Sequence, residues 1–351
     1  MPDQMTPKER MKALGEGRPI DRIPHGFGLG DAAARVTGIK VSEYHLDAKS
    51  QIEANVAAYR RYGLDGLGAF AILQNVFGAE TRYPDYSTPM VVQTAALEGD
   101  DLKRDYIGEP RKNPHLRVFW DVVDGLLGSP VSDEVPVSVF MEGPYTLAGR
   151  VIGVDKLLKK SLRDPEYVIA VLDKVSEAQI AVVNALEGSG VGFGIMDPVS
   201  SGDLISHDFY LKFSKPYEKR LFDAMIRVSG QKPMIHICGD SSKLWRDAVD
   251  VGAGVFSVDN RMDLELVKET IGGDIAVSGN VKPSESMLFG SPEDVRADLR
   301  ECFRKAWDSP AGYVPGFGCG LPIDTPAENL EALFDELRVV GRFPLDPERF
   351  S

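Results

Sequence analysis

The sequence predicts an α/β fold, a single (β/α)8 TIM barrel with an N-terminal helical extension and an excursion after strand 2. Three observations predict it. Strand-like apolar runs begin near residues 26, 66, 136, 192, 234, 255, 276 and 313, and nearly all are followed by a helical pattern. Strands alternating with helices make a parallel sheet, and eight such units suggest closure into a barrel. A polar or metal-binding side chain stands at nearly every strand end, the face on which such barrels carry their sites. The 351 residues contain no low-complexity tract or linker, so the chain is read as one domain, 1–351.

Taken in order, Thr6, Pro7 and Glu9 open a first helix with capping-box spacing and proline at its first position. Pro24 to Gly30 reads as a short strand entering a glycine-rich turn, where His25 fits packing as well as function. Val41 to Tyr62 is helical and stops at Gly63 before a strand over 66–70. Residues 72–133 are the least regular part, an excursion in which Val91, Val92 and Gln93 fit a hairpin. Val135 to Glu142 is a strand. Helices follow over 155–161 and from Pro165 to about Leu186, the second capped by Asp164. After a strand at 192–197 and a helix at 209–229 come the strand at 233–237 and a helix at 244–251. A strand at 255–259, a helix at 264–271 and a strand at 276–280 continue the alternation. Ser291 caps the next helix, 313–319 is the last strand, and Thr325 to Glu328 reads as a full capping box for the last helix.

The composition is that of an ordinary soluble protein, 43% hydrophobic and 26% charged. Its net charge of −13 argues against nucleic acid as a partner. No apolar run is long enough to span a membrane, and no signal peptide is visible at the N-terminus. Three widely spaced cysteines do not describe a disulfide framework, which fits a cytoplasmic location.

His236 and Cys238 are two apart on one strand, so imidazole and thiol project to the same face. Cys319 ends another strand. Two cysteines and one histidine are the ligand set of a catalytic zinc that keeps its fourth position open. The plainer alternative is three buried residues that never meet. With only 3 Cys and 5 His in the chain, two cysteines at strand ends weigh against that alternative. The other strand ends offer Asp31, Gln74, Glu142 with Tyr145, Asp197, Asp259 and Asn280. Of these, Glu142, Tyr145, Asp197, Asp259 and Asn280 are the candidate catalytic residues, although Asp and Asn at strand ends are commonly turn residues. Cys302 sits mid-helix and is assigned to packing. The glycines around Cys319 lack the following helix that a nucleotide cradle needs.

Between Asp21 and the last helix the residues resemble the uroporphyrinogen decarboxylase superfamily, and within it the branch of zinc-dependent corrinoid methyltransferases. The resemblance rests on Gly143-Pro144-Tyr145-Thr146, Asp197-Pro198 with Leu204 to Ser206, Lys215-Pro216-Tyr217, His236-Ile237-Cys238-Gly239, Ser278-Gly279-Asn280-Val281, and Gly318 to Pro322 with Thr325 to Asn329. It implies zinc on His236, Cys238 and Cys319, with Asp259 or Glu142 as candidates for the fourth position. It implies methyl transfer between a corrinoid and a small-molecule donor or acceptor, a thiol or a methoxy or hydroxy compound, in a direction the residues leave open. The corrinoid is expected on a separate partner protein, because no Asp-x-His-x-x-Gly motif is present. The decarboxylase branch is the alternative. Its members carry an arginine-rich motif near the N-terminus and an aspartate after the second strand. Here Gly26 to Asp31 has no arginine before Arg35, and Gly68 to Leu73 has no acid, although Tyr145 matches a tyrosine of that branch. Without the arginines an octacarboxylate substrate is poorly paired. A non-catalytic barrel with structural zinc is the third reading.

Overall fold

The computed structural model describes residues 3–350. Its frame is a parallel sheet of seven strands in the order β1-β4-β5-β6-β7-β8-β9. These are β1 (Leu67–Ala71), β4 (Val137–Glu142), β5 (Gly192–Met196), β6 (Met234–Ile237), β7 (Val255–Val258), β8 (Ala276–Val281) and β9 (Tyr313–Phe317). β2 (Glu80–Arg82) and β3 (Met90–Gln93) form the hairpin of the excursion. The helix Pro7–Gly15 precedes the barrel and closes its N-terminus with the expected Thr6–Glu9 box.

The segment around Gly26 takes the place of the eighth stave without forming a ladder. Gly26 N donates to Pro315 O on β9, but His25 N donates to the Asp65 carboxylate and Phe27 N to His25 Nδ1. Pro24 has no N–H to give. With its donors spent on side chains, the segment lies extended between β9 and the approach to β1. His25 itself is a packing residue, fully buried against Phe27 and Phe334, and burial lowers its pKa to about 4.

Alternation sorts the side chains. On β4, Val137, Val139 and Met141 are buried toward the helices, whereas Ser138, Phe140 and Glu142 face the lumen half-buried. Paired residues of parallel strands share a face, so register defines rows across the lumen. Phe70, Phe140, Gly194, Met234 and Val255 make one row. Glu142, Met196, His236, Ser257 and Ser278 make the row above it, toward the strands' C-terminal ends.

Three local expectations change. The helix Pro144–Ile152 was not foreseen; it has no side-chain cap and is buried nearly all round, so it lacks an amphipathic stripe to read. The helices expected over 41–62 and 209–229 are each two, broken where Asp47 and Ser214 sit between them. The capping box at 325–328 does not form, because Thr325 Oγ1 donates to Pro322 O and the helix Ala327–Val340 starts after Pro326.

Candidate metal centre

His236 and Cys238 leave β6 side by side, as their spacing requires, and the loop after β9 brings Cys319 to them. His236 Nε2 lies 3.2 Å from Cys238 Sγ, and Cys238 Sγ lies 3.3 Å from Cys319 Sγ. One ligand atom from each of the three falls within 4.8 Å of the others. Tetrahedral zinc with bonds of about 2.3 Å sets two thiolates roughly 3.8 Å apart, so a shift of about half an ångström admits the ion. The donors fit zinc in number and kind. The two thiols titrate as a pair: with one sulfur donating to the other and His236 beside them, the first thiol gives up its proton easily and the second holds on to its own.

Two glycines make the approach possible. Gly239 sits at φ +71, where an added Cβ would also collide with Asp203. A Cβ on Gly318 would strike the backbone of Asn260, so this glycine lets the Cys319 loop pack on the turn after β7. Asp259 ties that turn to the Cys238 loop. Its Oδ2 accepts from Gly239 N at 2.7 Å and its Oδ1 from Arg261 N at 2.9 Å. Ser257, which sequence reading missed, lies two residues upstream on the same face. Its Oγ is 3.0 Å from His236 Nδ1, leaving Nε2 turned toward the sulfurs.

The remaining candidates are not gathered with these three. Glu142 faces the lumen in the His236 row, two strand spacings away, or about 10 Å. It pairs with Arg150 at 2.9 Å, yet its Oε2 is buried without a partner, and burial raises its pKa. The Tyr145 hydroxyl meets Ser161 Oγ at 3.0 Å behind the sheet, with no exposed surface. Asn280 donates to the carbonyls of Asp259 and Met262 and faces Cys302. Asp31 pairs with His45, and Gln74 donates to Thr81.

Asp197 is fully buried and accepts from Thr146 N and Oγ1 and from Ser214 Oγ, which pins the helix after Glu142 to the end of β5. Beside it Glu218 accepts from Tyr210 and lies 3.0 Å from Ser214 Oγ, whose single proton the two carboxylates compete for. Burial, then the charge of Asp197, raises Glu218 well above its ordinary 4.5, so the pair holds a proton between them. Folding therefore takes up a proton. The stability this gives is complete below about pH 4.5 and drains away as pH climbs through the raised value. Glu218→Gln keeps the shape but cannot ionise, so its advantage over wild type should grow as pH rises from 5 to 8.5, read as urea midpoints. A constant difference across that range would contradict the shared proton.

Among the described residues, no helix is long and apolar enough to cross a membrane. Residues 6–339 match the family described as uroporphyrinogen decarboxylase (URO-D). The chain is 27% identical over 345 residues to a methylated-thiol:coenzyme M methyltransferase of Methanosarcina mazei, covering 95% of this chain and 89% of that one. It is 26% identical over 340 residues to a methylcobamide:CoM methyltransferase of Methanosarcina acetivorans, covering 95% and 97%. Among solved structures, a methyltransferase from Methanosarcina mazei superposes with a TM-score of 0.77 at 25% identity, covering 95% of this chain and 98% of the other.

Proposed function

The chain belongs to the uroporphyrinogen decarboxylase family, as an enzyme, and we propose that it is a zinc-dependent methyltransferase working with a corrinoid carried on a separate protein. The observation that carries this is the convergence of His236, Cys238 and Cys319 at the C-terminal ends of the strands, in a chain similar throughout to methylcobamide-linked methyltransferases. Zinc held by two thiolates and an imidazole, with a position open, would lower the pKa of a thiol or polarise an ether oxygen there. With a thiol acceptor, R–SH would lose its proton and take the methyl of methyl-Co(III), giving R–S–CH3 and Co(I). With a methoxy donor, R–O–CH3 would give its methyl to Co(I), forming methyl-Co(III), and the oxygen would leave as R–OH on gaining a proton.

The chain's own residues do the rest. Cys319 and Cys238 would supply thiolate charge, and His236 supplies the nitrogen that Ser257 orients. Asp259 fixes the loop of Cys238, and Asn280 fixes Asp259. Glu142, with a free buried oxygen and a raised pKa, is suited to accept or return the substrate proton. Tyr145 and Asp197 act by holding the helix after Glu142.

The anaerobic absorbance of methylcobalamin tests this. Zinc-loaded protein given 2-mercaptoethanesulfonate, homocysteine or benzenethiol should convert methyl-Co(III) to Co(I), and zinc-stripped protein should not. Methoxylated compounds offered with Co(I) test the opposite direction. No spectral change in any arm, with zinc bound and the protein's own corrinoid partner present, would count against the proposal. Uroporphyrinogen should give no coproporphyrinogen, since none of the seven barrel strands carries an arginine to pair eight carboxylates.

A further inference from the structure

The two sulfurs of the candidate metal centre stand between two bonded arrangements. Cys238 Sγ lies 3.3 Å from Cys319 Sγ. Zinc would spread them to roughly 3.8 Å, and a disulfide would draw them in to about 2.05 Å. Both side chains are half-buried, within reach of a small oxidant. Cys302 is buried in the helix Pro292–Ala306, with its thiol on Asn280 Oδ1, and takes no part.

The two cysteines are not equally free to move. Cys238 follows β6 directly, and the turn after it is pinned by Gly239 N to Asp259 and by Asp240 N to Asp203. Cys319 lies in the loop after β9 and is followed by Gly320, where a Cβ would meet nothing within 4 Å. A glycine in open space changes conformation at little steric cost. Cys319 is therefore the partner that closes the gap, by about 1.3 Å.

We propose that the centre is a redox switch, in which a peroxide or a small-molecule disulfide joins Cys238 to Cys319 and so expels zinc. The inference rests on the metal centre of the proposed function and not on methyl transfer. With a peroxide, one sulfur attacks an oxygen of the O–O bond. That bond breaks, hydroxide leaves and takes a proton to become water, and the cysteine is left as Cys–S–OH. The other sulfur, as thiolate, then attacks the first. The S–S bond forms, the S–OH bond breaks, and a second hydroxide leaves as water on taking a second proton. The two cysteines lose two electrons and the peroxide gains them. With R–S–S–R, the first attack expels one R–S− and the second expels the other, and each takes a proton. Neither bridged sulfur keeps the thiolate charge that zinc requires, and His236 alone is too few ligands. A dithiol reverses the bridge by becoming a disulfide itself.

Oxidised glutathione and hydrogen peroxide, each given to chelator-stripped and to zinc-loaded protein, test the switch. Thiols are counted after denaturation, cross-linked peptides are mapped by mass, and released zinc is read with a chromophoric chelator. Stripped protein should fall from three thiols to one, with Cys238 bonded to Cys319, Cys302 free and no glutathione retained. Zinc-loaded protein should react about tenfold more slowly, because the metal occupies both sulfurs, and should release zinc in step with thiol loss. Dithiothreitol should restore all three thiols and zinc binding. Cys319→Ala lacks the second sulfur, so its Cys238 should keep one glutathione. Wild type that ends with glutathione on either cysteine, or that retains three thiols, overturns the proposal. Zinc-loaded protein oxidised as fast as stripped protein overturns it too. A bridge that forms in a protein without methyl transfer sinks the methyltransferase reading and not the switch; transfer without a bridge does the reverse.

Discussion

Cys319→Ala should lose the metal and abolish methyl transfer while the barrel stays folded. Two ligands, His236 on β6 and Cys238 just after it, remain, too few for tight zinc at neutral pH. The catalytic loss should exceed about a thousandfold, because Lewis-acid activation is worth several kcal/mol of barrel-face chemistry. Cys319 is only half-buried and sits on a loop after β9, outside the hydrophobic core that runs from Ile23 to Phe350. In zinc-free protein its replacement should therefore change stability by no more than about 1 kcal/mol. Metal analysis, thermal melting and the corrinoid assay on the same preparation check all three parts. Cys238→Ala should behave alike. If either variant unfolds as it loses zinc, the metal is structural and the methyltransferase account fails.

Asp259→Ala should come next in size. The sequence alone put Asp259 on the rim as an acid free to approach the metal. In the structure both its oxygens already accept backbone donors, and one of those donors is Gly239, directly after Cys238. Removing the carboxylate leaves the buried Gly239 N–H unpaired, at a cost of about 1–3 kcal/mol, and frees the more exposed Arg261 N–H to water. The loop that aims Cys238 loosens, and zinc affinity should fall about 10- to 100-fold with the fold retained. Asp259→Asn, which can still accept one of the two hydrogen bonds, should lie between. Competition with a chromophoric chelator measures the affinities. An Asp259→Ala protein that binds zinc as tightly as wild type would show that the turn holds without it.

The parts of the fold and site that could be read in sequence were those fixed by period and spacing. The alternation in Val137 to Glu142 and the two-residue step from His236 to Cys238 are local facts, and local geometry realises them. What sequence hid was how hydrogen-bond donors and glycines are used across the chain. The Gly26 segment reads as a strand, but whether it forms a ladder depends on where His25 and Phe27 send their N–H groups, and Asp65 lies forty residues away. Asp197 and Tyr145 look like rim residues because they end or follow strands. Burial behind the sheet turns them into ties between helices. Ser257 carried only a faint signal, a hydroxyl two residues before an acid, and its role appears once β7 is laid in register with β6.

Zinc-edge X-ray absorption, on protein purified without chelator and then mixed with benzenethiol, tests most directly the claim that these three ligands hold a metal open to substrate. The account predicts one zinc per chain with two sulfurs, one imidazole nitrogen and one light exchangeable ligand, gaining a third sulfur when the thiol is added. A metal-free, folded protein, or zinc with four ligands from the chain that ignores the thiol, would contradict it.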